Sequence, residues 1–340
     1  MATRVAINGL GRIGRAALRA VLEEPALELV AVNDIAAPDN VAYLVRYDSV
    51  YGRSPHEVRS DDSSLVIGDT SIASLDEQDP AQLPWSDLGV ELVFECTGVF
   101  DDSEGLRKHL SAGARRVLLS APAKDEVATS VYGVDHEQHL DEELLSAASC
   151  TTNCTAPVME VLTRHLGVVK AMMTTTHAYT VSQELVDAPA KKWSRGRAAA
   201  ANIVPTTTGA AKATAVVVPA LEGLFDGVAL RVPVAAGSIS DIVCVTERST
   251  SVDELNQIFR DEAGGDRYRD VLGVSDDPLV SSDIIADPRA SVVDLNMTQV
   301  ISGDLVKVMS WYDNEWGYAK QMVRLATAMV AQPPVREAQR

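Results

Sequence analysis

Positive charge is what this chain most lacks. Its 30 Lys and Arg stand against 48 Asp and Glu, a formal net charge of −18, and no basic stretch interrupts the acidic background. That balance opposes binding to nucleic acid or to anionic membranes, so no such partner is expected and an anionic substrate needs a local basic site. Cysteine is scarce as well. Cys96, Cys150, Cys154 and Cys244 are too few and too unevenly spaced across 340 residues for a disulfide framework, which points to a reducing compartment. Cys150 and Cys154 lie one helical turn apart with no second Cys or His pair at ligand spacing, so no metal is expected. Also missing are a signal-peptide pattern, any apolar run near the length of a membrane span, internal repeats and low-complexity tracts. The expected location is the cytoplasm.

What is present is enough apolar material, 46% of residues, for one large or two medium cores, and two domains is the better prior at this length. The first recognisable unit is a strand, a glycine turn and a helix. Val5-Ala6-Ile7-Asn8 runs into Gly9-Leu10-Gly11-Arg12-Ile13-Gly14, followed by helical periodicity over residues 16–22. The next apolar run ends at Asn33-Asp34, 20 positions beyond Gly14. This spacing fits a dinucleotide site: Gly9 for the tight turn, Gly11 for approach of the pyrophosphate, Gly14 for helix-on-strand packing, Asp34 for the ribose hydroxyls. A ligand-free turn would leave the position of Asp34 unexplained.

Candidate strands at 64–67, 92–96 and 116–120, alternating with helical segments up to about residue 150, imply a parallel sheet. Ligands sit at the carboxyl ends of such strands, which places Thr97, Gly98 and Ser120 along the cofactor track, although ordinary turn chemistry also accounts for these residues. Beyond 150 the texture shifts to longer strands at 172–176, 228–232, 242–245 and 305–309 with fewer helices, predicting a mixed or antiparallel sheet. The expected organisation is an α/β chain: a Rossmann-type doubly wound dinucleotide domain over 1–150, then an α+β catalytic domain over 151–316. A final helix at about 317–332 would pack back on the first domain, and residues 333–340 read as a frayed tail. The polar stretch 182–204, with Lys191, Lys192, Arg195 and Arg197, is too irregular for one helix and reads as a functional loop or an interface.

The run Ser149-Cys150-Thr151-Thr152-Asn153-Cys154 is followed, 27 residues after Cys150, by His177 within Thr176-His177-Ala178-Tyr179-Thr180. It supplies a nucleophile and a base. A thiol at neutral pH needs help to ionise, and either an imidazole in hydrogen-bond reach or a helix N-terminus provides it. The residues after Cys150 read as a helix's first turn. Taken alone, a buried small cysteine and a satisfied core histidine explain the two segments equally well.

Together with Pro205 through Lys212 and Trp311-Tyr312-Asp313-Asn314-Glu315, these motifs closely resemble phosphorylating, NAD-dependent glyceraldehyde-3-phosphate dehydrogenase, in the family's order and spacing over nearly the whole chain. The resemblance implies a glycolytic enzyme in which the Cys150 thiolate attacks an aldehyde and His177 manages the proton. Oxidation then gives a thioester that inorganic phosphate cleaves. It also implies that Thr180 and Arg231 hold the substrate phosphate, while Ser149, Thr151, Arg195, Thr208 and Gly209 serve the attacking phosphate. Asn314 would fix the nicotinamide amide, with Arg12 and Ile13 in the pyrophosphate turn. From the residues alone, a helix-capping role for Thr206, Thr207 and Thr208 and a structural ion pair for Arg231 are the better readings; the resemblance favours the phosphate roles. NAD is the expected cofactor, since Asp34 repels a 2′-phosphate. Ala188, standing where NAD-specific members usually carry Leu, softens the barrier to NADP. A homotetramer is implied by the 182–204 loop.

Two segments depart from the family pattern. Val181-Ser182 replace the usual Asn-Asp pair, and residues 233–238 replace the usual Thr-Pro-Asn-Val segment. An altered substrate or inhibitor pocket is expected, in the manner of an isozyme that tolerates alkylating substrate mimics. The alternatives are an erythrose-4-phosphate dehydrogenase with hydrolytic release, which residues 206–212 fit less well, and a silent NAD-binding redox sensor with Cys150 as its oxidisable group.

Overall fold

The computed structural model describes residues 2–61 and 63–332; the expected tail, 333–340, lies outside the described residues. The chain divides into two compact units. One holds Met1–Tyr132, His136–Ala148 and the chain from Met322; the other holds Gly133–Asp135 and Ser149–Gln321.

In the first unit, β1 (Thr3–Asn8) and β2 (Leu27–Asn33) are followed by a small hairpin, β3 (Tyr47–Asp48) and β4 (Gly52–Arg53). Then come β5 (Val58–Ser60), β6 (Ser64–Ile67), β7 (Thr70–Leu75), β8 (Leu92–Glu95), β9 (Arg116–Leu119), β10 (Ala128–Thr129) and β11 (Leu144–Ser146). All but the hairpin form one sheet in the order β10-β11-β9-β8-β1-β2-β7-β6-β5. From β10 to β7 every pairing is parallel, as expected of a Rossmann-type sheet. The run at 64–67 is a strand but departs from the expectation: β6 is antiparallel to both β5 and β7. The reason is connection length, because two residues separate β6 from β7, enough for a hairpin and far too few for a crossover.

The helices of this unit are α1 (Arg12–Leu22), α2 (Pro38–Arg46) and α3 (Ser103–Ser111). α1 buries Ala16, Ala17, Leu18, Ala20 and Val21; small residues let it lie close to the sheet. α3 starts at Asp102, whose carboxylate accepts the Gly105 N–H at 2.9 Å. One core cluster packs Trp85, Val90 and Val93 with Ala6 and Ala31, and another gathers Leu106, Val117, Leu119 and Leu144.

The second unit is built on β12 (Val168–Ala178), β13 (Val204–Thr207), β14 (Phe225–Val232), β15 (Ser238–Thr246), β16 (Leu272–Ser275), β17 (Ser291–Asp294), β18 (Gln299–Ile301) and β19 (Leu305–Tyr312). Seven run in the order β13-β14-β12-β15-β19-β17-β16, with β18 beside β19. The sheet is mixed, as the long strands suggested. β12 pairs parallel with β14 and antiparallel with β15. Its helices are α4 (Cys150–Leu166), α5 (Ala210–Val217) and α6 (Val252–Gly264), while α7 (Trp316–Ala331) begins here and from Met322 belongs to the first unit. The 182–204 stretch contains two short 3₁₀ turns and no longer helix. No described helix is long and apolar enough to cross a membrane.

Two glycines fix the turn between β1 and α1. Gly9 has φ +91°, and a Cβ there would lie 2.7 Å from the Thr97 Cα; a Cβ on Gly14 would lie 1.9 Å from the Gly9 carbonyl oxygen. Both contacts are to backbone, which cannot yield locally. Gly14→Ala is expected to lower stability by about 1–3 kcal/mol through overpacking, read as a lower urea midpoint; an unchanged midpoint would show that the turn has slack.

Candidate active site

Strand register assembles the second unit's polar site. In the parallel pair β12 and β14, His177 lies directly opposite Arg231. β15 runs the other way, so its first residue, Ser238, falls at the same end of the sheet and pairs with Tyr312, the last residue of β19. α4 brings its N-terminus to this edge. Ser149 caps it, accepting the Thr152 N–H at 3.1 Å, a contact worth about 1 kcal/mol. The Cys150 Sγ thereby sits 3.4 Å from the His177 Nε2.

The imidazole's other nitrogen has two polar neighbours. His177 Nδ1 is 2.7 Å from the Ala178 carbonyl oxygen, which can only accept, and 2.9 Å from Arg231 Nη1, which can only donate; with the hydrogen assigned to Nδ1, the shorter contact is its hydrogen bond. Nε2 is then a lone pair facing the thiol, as a general base requires. Arg231 Nη1 donates to the same carbonyl at 2.9 Å, which brings its charge to within 2.9 Å of Nδ1. Burial, and then the charges of Arg231 and Arg195, lower the His177 pKa to about 3, against the Ala178 carbonyl, which favours the charged ring. Burial raises the Cys150 thiol above its ordinary value, while Arg231, the Thr151 hydroxyl and the backbone N–H groups of Thr151 and Cys150 oppose that rise. The resting pair is a neutral thiol beside a neutral imidazole. Cys154 differs: fully buried, hydrogen-bonded to the Ser310 carbonyl and the Ser291 hydroxyl, it is pushed up to about 12 by burial. Of the two thiols of α4, that of Cys150 is the one beside an imidazole.

Arg231 is also the clearest sign of an anion site. Its Nε is buried and has no hydrogen-bond partner among the described residues, a state that an incoming oxyanion would relieve. Nearby, the Thr180 and Ser182 hydroxyls lie 2.9 Å apart, and Arg195 donates to Ser182 Oγ at 3.3 Å and to Thr206 Oγ1 at 3.0 Å. Thr180, Arg195 and Arg231 therefore gather by the Cys150–His177 pair. Thr208 instead accepts the Ala210 N–H at the start of α5, at 3.1 Å, and next to it Gly209 faces open space. The three hydroxyls at the start of α4 are all engaged: the Ser149 cap lies 2.7 Å from Thr152 Oγ1, and Thr151 Oγ1 meets the Tyr312 hydroxyl at 2.9 Å. The second departing segment meets the retained motif, since the Tyr179 N–H donates to the Val234 carbonyl at 3.1 Å.

Sequence reasoning gave no role to Tyr312 or Ser238. The Tyr312 hydroxyl joins Thr151 on α4 to Thr175 on β12, at 2.9 and 2.8 Å, and its ring lies edge-on to His177. Ser238 accepts the Ala178 N–H and donates to Asn314 Oδ1, linking the histidine's strand to that amide. Both were in quoted motifs, but only register shows which strand ends they join.

In the first unit, the β1–α1 turn fits a dinucleotide. Gly11 has no atom within 4 Å of a built Cβ, leaving the backbone approachable. α1 begins at Arg12, with Ile13 half-buried after it, so the turn opens onto a helix N-terminus. Arg12's guanidinium is held by Asp48 at 2.6 Å. Asp34 sits just beyond β2, its carboxylate accepting the Leu10 N–H at 2.6 Å and the Ala36 N–H at 2.9 Å. Thr97 and Gly98 follow β8, and Ser120 follows β9, where its N–H donates to the Glu95 carbonyl. Among the described residues no cluster of side chains could hold a metal ion.

Residues 3–103 match the family model described as glyceraldehyde 3-phosphate dehydrogenase, NAD binding domain, and residues 149–314 match its C-terminal domain. The chain is 46% identical to the glyceraldehyde-3-phosphate dehydrogenase of Streptomyces coelicolor, over 96% of this chain and 98% of that one. For the proteins of the same name from Mycobacterium bovis and Zymomonas mobilis, identity is 48% over 96% and 98%, and 45% over 97% and 99%. With the thiol–imidazole pair in the half matched to the C-terminal domain and the glycine turn in the half matched to the NAD binding domain, the chain belongs to the glyceraldehyde 3-phosphate dehydrogenase family.

Proposed function

We propose that this protein oxidises D-glyceraldehyde 3-phosphate, with NAD and inorganic phosphate, to 1,3-bisphosphoglycerate and NADH in central carbon metabolism. The observation that carries this reading is the Cys150 Sγ at 3.4 Å from the His177 Nε2, beside the half-buried Arg231 guanidinium, whose buried Nε has no partner among the described residues. His177 Nε2 takes the thiol proton as Cys150 Sγ bonds to the aldehyde carbon. The imidazolium then donates to the hemithioacetal oxygen and takes that proton back. NAD, when bound, supplies the hydride acceptor that turns the hemithioacetal into a thioester. Phosphate attacks the thioester carbon, and the Cys150 thiolate leaves with its charge compensated by Arg231. Because Arg231 and Arg195 depress His177, an anion resting on them restores its basicity, so substrate binding readies the base.

In the same reading, Thr180 and Arg231 hold the substrate phosphate; Ser149, Thr151, Arg195, Thr208 and Gly209 serve the attacking one. Asn314 orients the nicotinamide amide. The first unit is the dinucleotide domain and the second the catalytic one. The protein works in the cytoplasm as a homotetramer joined in part through the 182–204 loop, whose Leu185, Val186 and Trp193 are exposed. Val181, 91% exposed, and Ser182 leave the Thr180 surface without a carboxylate, which supports a pocket tolerant of alkylating substrate mimics.

Three measurements test this. NADH formation should require phosphate beyond the first turnover and fall at least about a thousandfold in Cys150→Ser. Turnover without phosphate would point to hydrolytic release, and NAD binding without turnover to a sensor. Arg231→Met should move the pH midpoint of Cys150 alkylation by iodoacetamide upward, because the cation that favours the thiolate is gone; a midpoint that stays or falls would remove Arg231 from the thiol's electrostatics. Finally, Val181→Asn/Ser182→Asp should alter the rate at which substrate-like epoxides alkylate Cys150, and equal rates would end the tolerance reading.

A further inference from the structure

Behind the Gly9 turn lies a buried polar chain that the reaction above does not use. Asn8, Asn33 and Glu95 are the last residues of the neighbouring strands β1, β2 and β8, and all three are buried. Asn8 stands opposite both others in the register. The Glu95 carboxylate accepts four hydrogens. Oε1 takes those of the Thr97 N–H at 2.7 Å and the Thr97 hydroxyl at 2.5 Å; Oε2 takes those of Asn8 Nδ2 at 2.6 Å and His109 Nε2 at 3.1 Å. The far side of the imidazole fixes the last direction. Trp85 Nε1–H can only donate, and it reaches His109 Nδ1 at 3.0 Å, so the ring hydrogen lies on Nε2. Asn8 Oδ1 accepts from Asn33 Nδ2 at 2.7 Å, and Asn33 exchanges two bonds of 2.8 Å with the Glu77 backbone.

A buried carboxylate is tolerated only when its lone pairs are filled, and an apolar side chain would stabilise the same core at lower cost. Three such residues on adjacent strand ends call for a reason, and the loops that they hold supply one. The Cys96 N–H donates to the Asn8 carbonyl and the Gly9 N–H to the Asn33 carbonyl. Gly9 packs directly on Thr97, whose hydroxyl also receives the Val99 N–H at 3.1 Å.

We infer that Glu95 is a positioning residue for the dinucleotide: by accepting from Thr97, Asn8 and His109 at once, it locks the 96–99 loop against the Gly9 turn. This rests on the reading that the turn binds NAD. Gln at position 95 has the same shape but one donor group, which would face Asn8 Nδ2–H and His109 Nε2–H. Exchanging the partners as well, in Asn8→Asp/Glu95→Gln, reverses the bond instead of breaking it, and His109, whose Nε2 is 3.5 Å from Asn8 Nδ2, then finds an acceptor on residue 8.

The test is NAD affinity by calorimetry, with NAD-free alkylation of Cys150 and the melting temperature measured on the same samples. Glu95→Gln should weaken NAD binding about tenfold and raise the KM for NAD in step, while the KM for aldehyde and the alkylation rate stay near wild type. The reciprocal double variant should recover most of the loss. NAD affinity unchanged in Glu95→Gln, or a folded double variant no better than the single one, overturns the inference. If Glu95→Gln does not fold, Thr97→Val, which removes the hydroxyl's bonds to Glu95 and to the Val99 N–H, carries the same expectation and the same refutation. Wild-type protein that fails to bind NAD overturns the reading beneath the inference as well; wild type that binds beside variants that bind equally well overturns the inference alone.

Discussion

The alignment of β12 with β14 is the constraint on which the catalytic chemistry depends. Because the two strands are parallel and His177 falls opposite Arg231, a base and a cation share one carbonyl, that of Ala178. A slip of one residue would turn His177 to the other face of the sheet, away from the thiol. The antiparallel runs of β15 and β19 fill in the rest, with Ser238 bracing the end of β12 and Tyr312 tying it to α4. Buttressing of this kind matters because proton transfer between Sγ and Nε2 depends steeply on their separation.

Charge is distributed with the same economy. A chain with net charge −18 places two guanidinium groups near one imidazole, and burial, reinforced by their charge, keeps that ring neutral.

Local features of the sequence carried well into the structure. Val5 through Gly14 formed the strand, turn and helix that their pattern described, and the small polar residues after Cys150 opened α4 under a Ser149 cap, because both patterns depend on neighbours in sequence. What was hidden depends on register and on chain reversal. The antiparallel β6 was concealed by a short connection between apolar runs that look alike whichever way they lie. The roles of Tyr312 and Ser238 arise from strand ends 74 positions apart meeting in space, and Glu95, His109 and Trp85 read as ordinary core residues until their hydrogen bonds are traced. The resemblance named the catalytic pair but had nothing to say about these supports.

The parallel pairing of β12 and β14 has one more consequence. A strand that ends at the active edge cannot be followed by a parallel neighbour until the chain has travelled back to the opposite edge. Here that return occupies everything from Tyr179 to Leu224, including the Thr180 turn, the irregular stretch with Arg195, and α5. Thr180 and Arg195 therefore ride on a detour that the sheet requires but does not template, whereas His177 and Arg231 stand on the sheet itself. Such a segment can take changes at positions like Val181 and Ser182 without moving His177 or Arg231, because the pairing that aligns those two residues runs through β12 and β14 alone.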